Sequence, residues 1–171
     1  MRVYPSGKAA LAYNVPVGAI FLARVVDQPA YFIKGSYTEH PEDTPEKIYI
    51  NLTEISGHRE SIPSIRSSGF LNTGPVLILN NSVEIAVDIN SVASPNDTFS
   101  PGNIMYFDAV PHLLYDGGAI NLTNGEVKRS DTSSARIAFS RWSIVDREAG
   151  REVILATFPS HERITAPHLQ P

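Results

Sequence analysis

The chain has 171 residues and no cysteine. That excludes disulfide staples, thiol nucleophiles and cysteine-ligated metals. It also weighs against a secreted domain that relies on disulfides. Charge is scarce too: Asp, Glu, Lys and Arg make up 19% of residues, where a quarter is usual. No apolar run approaches the ~18 residues of a membrane span. The opening Met1-Arg2-Val3-Tyr4-Pro5-Ser6-Gly7-Lys8 lacks the apolar stretch of a signal peptide. No leader and no membrane partner are therefore expected.

The catalytic and nucleotide signatures are missing as well. There is no Gly-x-x-x-x-Gly-Lys, no Gly-x-Gly-x-x-Gly and no Gly-x-Ser-x-Gly, so phosphate cradles and the nucleophile elbow are not signalled. His-x-His is absent, which weakens a metal-binding barrel of the cupin type. The net charge of −4 and pI near 5.7 give no pull toward phosphate backbones. Half of the basic residues fall after Glu126, but acids are interleaved among them, a pattern of cross-strand ion pairs rather than a phosphate patch. Phe139, Arg141 and Trp142 come closest to a nucleic-acid-reading sheet face. Trp142 has the opposite parity to Phe139, so a packed tryptophan with a surface arginine is the better reading. Nucleic acid is not an expected partner.

What is present is a rhythm. Short runs rich in β-branched and aromatic residues recur, each stopped by Pro, Gly, Asn, Asp or Ser. Gly18–Val26 and Ala30–Lys34 read as a hairpin turned at Asp27-Gln28-Pro29. A polar loop, Gly35–Glu46, and a strand, Lys47–Ile55, follow. Ser56–Gly74 reads as a long connection. Pro75–Leu79 and Val83–Ile89 read as a hairpin, because Asn80 and Asn81 tolerate the positive φ of a two-residue turn. Ile104–Val110 and His112–Tyr115 read as strands split by Pro111. Turns at Asp116-Gly117-Gly118 and Asn124-Gly125 bracket Ala119–Leu122, with Glu126–Arg129 as the return strand. Ser134–Val145 and Arg151–Phe158 make the longest pair. The parity of Ile137 and Phe139 against Trp142 and Ile144 predicts a bulge near Ser140–Arg141. A short helical turn is expected around Lys8–Tyr13.

About nine or ten short strands with frequent turn signals predict an all-β fold. The specific expectation is a single domain over 1–171, an antiparallel β-sandwich of jelly-roll kind with long loops. Residues 1–17 and 159–171 are expected to be extended arms. Ile-Asn-Leu-Thr occurs twice, at Ile50–Thr53 and Ile120–Thr123, through duplication or through chance in an Asn- and Thr-rich chain. Four Asn-x-Ser/Thr sequons, at Asn51, Asn80, Asn96 and Asn121, read as by-products of Asn-rich turns.

Five histidines offer no pair at strand or helix ligand spacing. His40, Glu42 and Asp43 are the nearest candidate metal ligands, in an acidic Pro-bearing loop that also reads as plain solvated surface. No cofactor is implied. Glu84 and Asp88 share one strand face and read as its wet side. Among the aromatics, Tyr31, Tyr37, Phe70 and Tyr115 lie near strand ends or loops, where such side chains serve as partner anchors.

The lack of cysteine, the low charge, the Asn/Ser/Thr/Pro turns and the irregular ends together resemble small β-structured assembly proteins of phages and viruses. That resemblance implies a structural protein working as a symmetric homo-oligomer, a capsid decoration or tail part, with itself and other structural proteins as partners and the virion as location. The alternative is a β-sandwich module that binds carbohydrate or a small ligand, in the cytoplasm. A further alternative is an enzyme whose site is assembled from distant strands.

Overall fold

The computed structural model describes residues 7–25, 28–40, 42–53, 63–66, 71, 74–128, 137–148 and 151–159. Fourteen strands carry these segments: β1 Gly7–Leu11, β2 Ile20–Val25, β3 Gln28–Tyr37, β4 Glu46–Asn51, β5 Ser64–Arg66, β6 Pro75–Leu79, β7 Val83–Val87, β8 Ile104–Phe107, β9 Val110–Tyr115, β10 Gly118–Asn121, β11 Glu126–Lys128, β12 Ile137–Phe139, β13 Trp142–Asp146 and β14 Val153–Phe158. Eleven of them form one sheet in the order β1-β6-β2-β3-β11-β10-β9-β8-β12, with β4 on β3 and β5 on β4. The other three form a second sheet, β14-β13-β7. The all-β expectation holds. One described pairing departs from an antiparallel scheme: β11 runs parallel to β3, through Glu126 and Ser36.

The long strand β3 organises the large sheet. Its first part pairs with β2, from Val25 opposite Gln28 to Ile20 opposite Ile33. Its last part pairs with β4, from Phe32 opposite Asn51 to Tyr37 opposite Glu46. Both faces are buried: Ala30 and Phe32 face one core, Ile33 the other. That explains its nearly continuous apolar sequence. The strand runs past Lys34, although the sequence pattern places a loop from Gly35 onward. A Cβ on Gly35 would meet Val127 Cγ2 at 2.8 Å and Ile48 Cγ1 at 3.0 Å. The glycine permits close approach inside a strand rather than starting a loop.

Phe21, Phe32 and Tyr49 cluster on one face of the large sheet, with Phe21 and Phe32 stacked at 5.5 Å. On the opposite face Ile33, Ile50, Ile104, Leu113 and Ile120 meet Trp142 and Ile144 of the small sheet. Each such aliphatic contributes about 1.5–3 kcal/mol by leaving water. Trp142 stacks on Phe158 at 5.1 Å and donates its indole N–H to Gly102 O at 2.7 Å. Gly102 sits at φ +95, with its Cα side against the Phe158 ring, where a Cβ would lie 2.2 Å from Cζ. That glycine lets the small sheet dock.

The chain passes from the large sheet into the small one twice, and each crossing differs from the expected local structure. Val83 N–H donates to Asn80 O at 3.0 Å, so a turn does form at Asn80. The described non-glycine residues with positive φ, however, are Asp108 and Ala109. Without the mirror-image geometry the two strands splay. β6 joins β1 and β2, while β7 joins β13. The expected Asn80-Asn81 hairpin is therefore a crossing between sheets. The two-residue hairpin lies at Asp108-Ala109, with Phe107 opposite Val110, inside what reads as one strand, Ile104–Val110.

The second crossing is at Ser140–Arg141. β12 pairs with β8 in the large sheet and β13 with β14 in the small one. The parity change is real, but it marks a change of sheet. The register irregularity lies between Ile144 and Val145 in the β13–β14 pair. Ser91 ties the crossing: Ser140 N–H donates to Ser91 O at 2.8 Å, and Arg141 N–H to Ser91 Oγ at 3.0 Å.

Other turns fall where the pattern places them. Gly117 and Gly125 adopt φ +96 and +75 at the ends of the β9–β10 and β10–β11 connections. Within the 1–17 segment, Gly7–Leu11 is paired with β6, and Ala12 and Val15 are buried in the core. The expected turn at Lys8–Tyr13 is instead strand to Leu11, then a 3-10 turn over Ala12–Asn14. Of the 159–171 segment, residues 160–171 lie outside the described residues. The two Ile-Asn-Leu-Thr copies do the same local work. Each Asn closes its strand by accepting the Thr N–H, Asn51 Oδ1 at 3.3 Å and Asn121 Oδ1 at 2.7 Å.

Candidate functional site

The sequence of β7, Val83-Glu84-Ile85-Ala86-Val87, alternates, and the structure uses the alternation twice. Its side chains Val83, Ile85 and Val87 pack toward the large sheet. Its backbone alternates as well. Arg147 N–H donates to Ser82 O and Asp88 N–H to Arg141 O, both at 2.9 Å. Opposed residues in an antiparallel pair alternate between bonded and non-bonded. Glu84 and Ala86 therefore bond to β13, and the N–H and C=O groups of Val83, Ile85 and Val87 point to the other side. That side is the edge of the small sheet on which no described strand pairs.

A cleft of about 370 Å³ runs along this edge. One wall runs from Leu79 at the end of β6, through Asn80 and Asn81, along β7 to Val87, and the floor includes Ile20, Ile33, Ile104 and Leu122 on the large-sheet side. Past Val87 and Tyr106, which border both spaces, lies a more open hollow of about 590 Å³ bounded by Ile89, Ile137 and Phe139. Ile89 is 73% exposed. The titratable side chains on the cleft wall are Glu84 and Tyr106. Glu84 is paired with Arg147, which also donates to Glu152 at 2.9 Å. Arg141 pairs with Asp88 at 3.0 Å. These exposed pairs contribute little stability, about 0–1 kcal/mol each.

Among the described residues, other edge strands carry exposed aliphatics: Leu11 on β1, Ile65 on β5 and Ile154 on β14. Ile137 on β12 is exposed as well, but the outer edge of that strand is paired: Ala93 N–H donates to Ala138 O at 2.9 Å and Ser140 N–H to Ser91 O at 2.8 Å. Ile154 is 60% exposed. The sequence pattern does not single these residues out. Ile154 sits in the unbroken run Val153-Ile154-Leu155-Ala156, which has no alternation to show which side chain faces water. Ile89 carries a weak signal, as the apolar residue continuing the Val83/Ile85/Val87 series beyond the strand.

Of the expected sites, His40, Glu42 and Asp43 are exposed in the loop before β4. The Asp43 carboxylate accepts His40 N–H at 3.1 Å, closing a turn. Among the described residues no three His, Asp or Glu side chains converge on one point. Tyr115 is 6% exposed and belongs to the core between the sheets. Tyr31 and Tyr37 are partly buried against that same core. Phe70 lies outside the described residues.

Burial sets the ionisation of several groups. Loss of solvent pushes the Tyr115 hydroxyl up to about 12, with nearby Tyr37 adding to the effect. Tyr31 and Tyr49 are raised by burial as well. Desolvation lowers His112, against the opposing effect of a hydrogen bond in which Val110 O accepts from the His112 ring at 3.0 Å. Lys34 is 3% exposed, and desolvation lowers it, with Lys47 adding repulsion. Its ammonium donates to Tyr13 O at 2.7 Å and lies 5.7 Å from the Tyr49 ring centre, anchoring the 3-10 turn to the sheet. Asp146 is wholly buried, and among the described residues neither carboxylate oxygen has a hydrogen-bond partner.

Comparison with protein-family models, curated proteins and solved structures finds no match to this chain.

Proposed function

We propose that this chain is a structural subunit that works through protein–protein contacts in a symmetric oligomer. The observation that carries the reading is the set of strand edges. Soluble monomers blunt such edges with charge, proline or short length. Here β1, β5 and β14 each leave a large aliphatic exposed, and β14 contains no charged residue, proline or glycine. The core shared by the two sheets supports a β-sandwich of jelly-roll kind, a rigid body suited to assembly. The low charge and cysteine-free composition fit a phage or viral particle component, a capsid decoration or tail part.

Light scattering at micromolar concentration tests the reading. The expected result is an oligomer that loses mass when Ile154 or Leu11 is replaced by Lys. A monodisperse monomer would overturn it.

A second reading, a module for carbohydrate or another small ligand, is favoured by the 370 Å³ cleft, which falls within the size range of ligand pockets. Tyr106 is the one aromatic on that wall, which supports a sugar-stacking site poorly. Binding on a glycan array would favour this reading over the first.

A further inference from the structure

We propose that the open edge of β7 is a strand acceptor: one extended segment of a partner polypeptide adds to the small sheet there as a fourth strand, its side chains filling the cleft. The inference deepens the assembly reading and rests on it only for the partner being a protein.

Hydrogen-bond accounting comes first. The unpaired N–H and C=O groups of an edge strand form a template for pairing with another chain. The outward groups of β7 are those of Val83, Ile85 and Val87. The Val83 N–H is taken by Asn80 O. Among the described residues nothing pairs with Val83 C=O or with the N–H and C=O groups of Ile85 and Val87. These five groups alternate along the edge at the two-residue repeat of a strand, about 7 Å. Another strand presents matching groups at that repeat; a compact small molecule does not.

The shape of the cleft then limits the occupant. Beneath the edge lie Ile20, Ile33, Ile104 and Leu122, all on the molecule's own large-sheet side. That floor occupies the layer in which a neighbour's second sheet would have to sit. A whole two-sheet body is kept off, and a lone strand fits. Its inward side chains continue the layer of Val83, Ile85 and Val87, so they are branched aliphatics at every second position. The side chains between them lie beside Glu84 and Ala86 on the outer face. Threonine suits those positions, and lysine suits the ends near Glu84. Beyond Val87 the exposed Ile89 extends the apolar track for a longer segment. Backbone pairing provides affinity and alternate side chains provide selectivity, as in other edge-addition complexes.

The test uses the whole protein and a capped synthetic heptapeptide, Lys-Val-Thr-Ile-Thr-Val-Lys. A control peptide carries N-methyl groups on the amides that would face β7. Calorimetry reads binding, and amide hydrogen exchange reads the Ile85 and Val87 N–H groups. The expected result is saturable binding, exchange at both amides slowed at least tenfold, and loss of both effects with the control. Val87→Pro, which removes an outward N–H at an edge position where proline is tolerated, should also abolish binding. Equal binding of both peptides, or unchanged exchange, would overturn the proposal. So would protection of both amides in the isolated monomer, since the chain would then be covering its own edge. Protection present in an oligomer and lost on dilution supports it, with a second copy as donor. The two readings fail separately. An oligomer whose β7 amides exchange freely and ignore the peptide keeps the assembly and sinks the acceptor, and a monomer that binds the peptide does the reverse.

Discussion

The two sheets solve the burial problem differently. The large sheet buries both faces around β3, with Phe32 on one side and Ile33 on the other. The small sheet rests one face on the shared core and leaves Glu84 and Arg147 in water on the other. A sheet covered on both sides needs apolar residues at every position. A sheet covered on one side needs alternation, and its edges become its distinguishing surface. The large sheet is thus the scaffold, and the small sheet holds the candidate contact edge at β7.

Breaking the contact between the sheets should have the largest effect. Trp142→Ala removes the stack on Phe158 and the bond to Gly102 O. The expected loss is about 3–5 kcal/mol, read by calorimetry or circular dichroism, since Trp142 is the sole tryptophan. A loss under about 1 kcal/mol would mean that the small sheet docks by other contacts.

Alkaline titration probes the same shared core from the large-sheet side. The folded state holds the Tyr115 hydroxyl at about 12, above its ordinary 10.0. A raised folded pKa means stability that is complete below pH 10 and lost as pH rises toward 12. The expected decline is on the order of 2–3 kcal/mol by pH 12. Tyr31 and Tyr49 act with the same sign. Tyr115→Phe should flatten the slope measured by denaturant titration across that window. An unchanged slope would show that Tyr115 is solvated.

The small sheet also carries a buried carboxylate. Asp146 is buried, and among the described residues its carboxylate has no hydrogen-bond partner. Replacing an unpartnered buried carboxylate by an apolar residue of similar size removes the desolvation penalty. Asp146→Val should therefore stabilise the fold by about 1–3 kcal/mol. Destabilisation would show that the carboxylate has a partner in solution.

The smallest effect separates the two turns. Ala109 sits at φ +66 in the β8–β9 hairpin, a conformation that costs an L-residue about 1–2 kcal/mol. Ala109→Gly relieves that cost and loses some through unfolded-state entropy, for a net gain of about 0.5–1 kcal/mol. Asn81→Gly at the sheet crossing has no positive φ to relieve and should lose about 0.5 kcal/mol. Thermal melts of the two variants should move in opposite directions.

Much of the fold is legible in the sequence. The strands β2, β4, β6, β7 and β14 fall close to their predicted runs, and Gly117 and Gly125 turn the chain as expected. The Asn80-Asn81 pair signals a turn and a turn is there, but turn residues do not say which strands pair afterwards. The parity change at Ser140–Arg141 is visible; that it means a new sheet is not, because a bulge and a crossing shift parity alike. The candidate site is not legible at all. The alternation of β7 shows which side chains are buried, yet the free edge exists only because no described strand pairs beyond it.

From the sequence by itself follow the all-β class, most strand positions and the burial of one face of β7. These depend on periods of two and on turn chemistry, which act between neighbours along the chain. Strand partners, the division into two sheets, the parallel β3–β11 contact and the cleft beneath β7 were decided by tertiary structure. They depend on contacts between residues far apart in sequence, chosen by which combination of faces buries the most apolar surface while pairing the backbone.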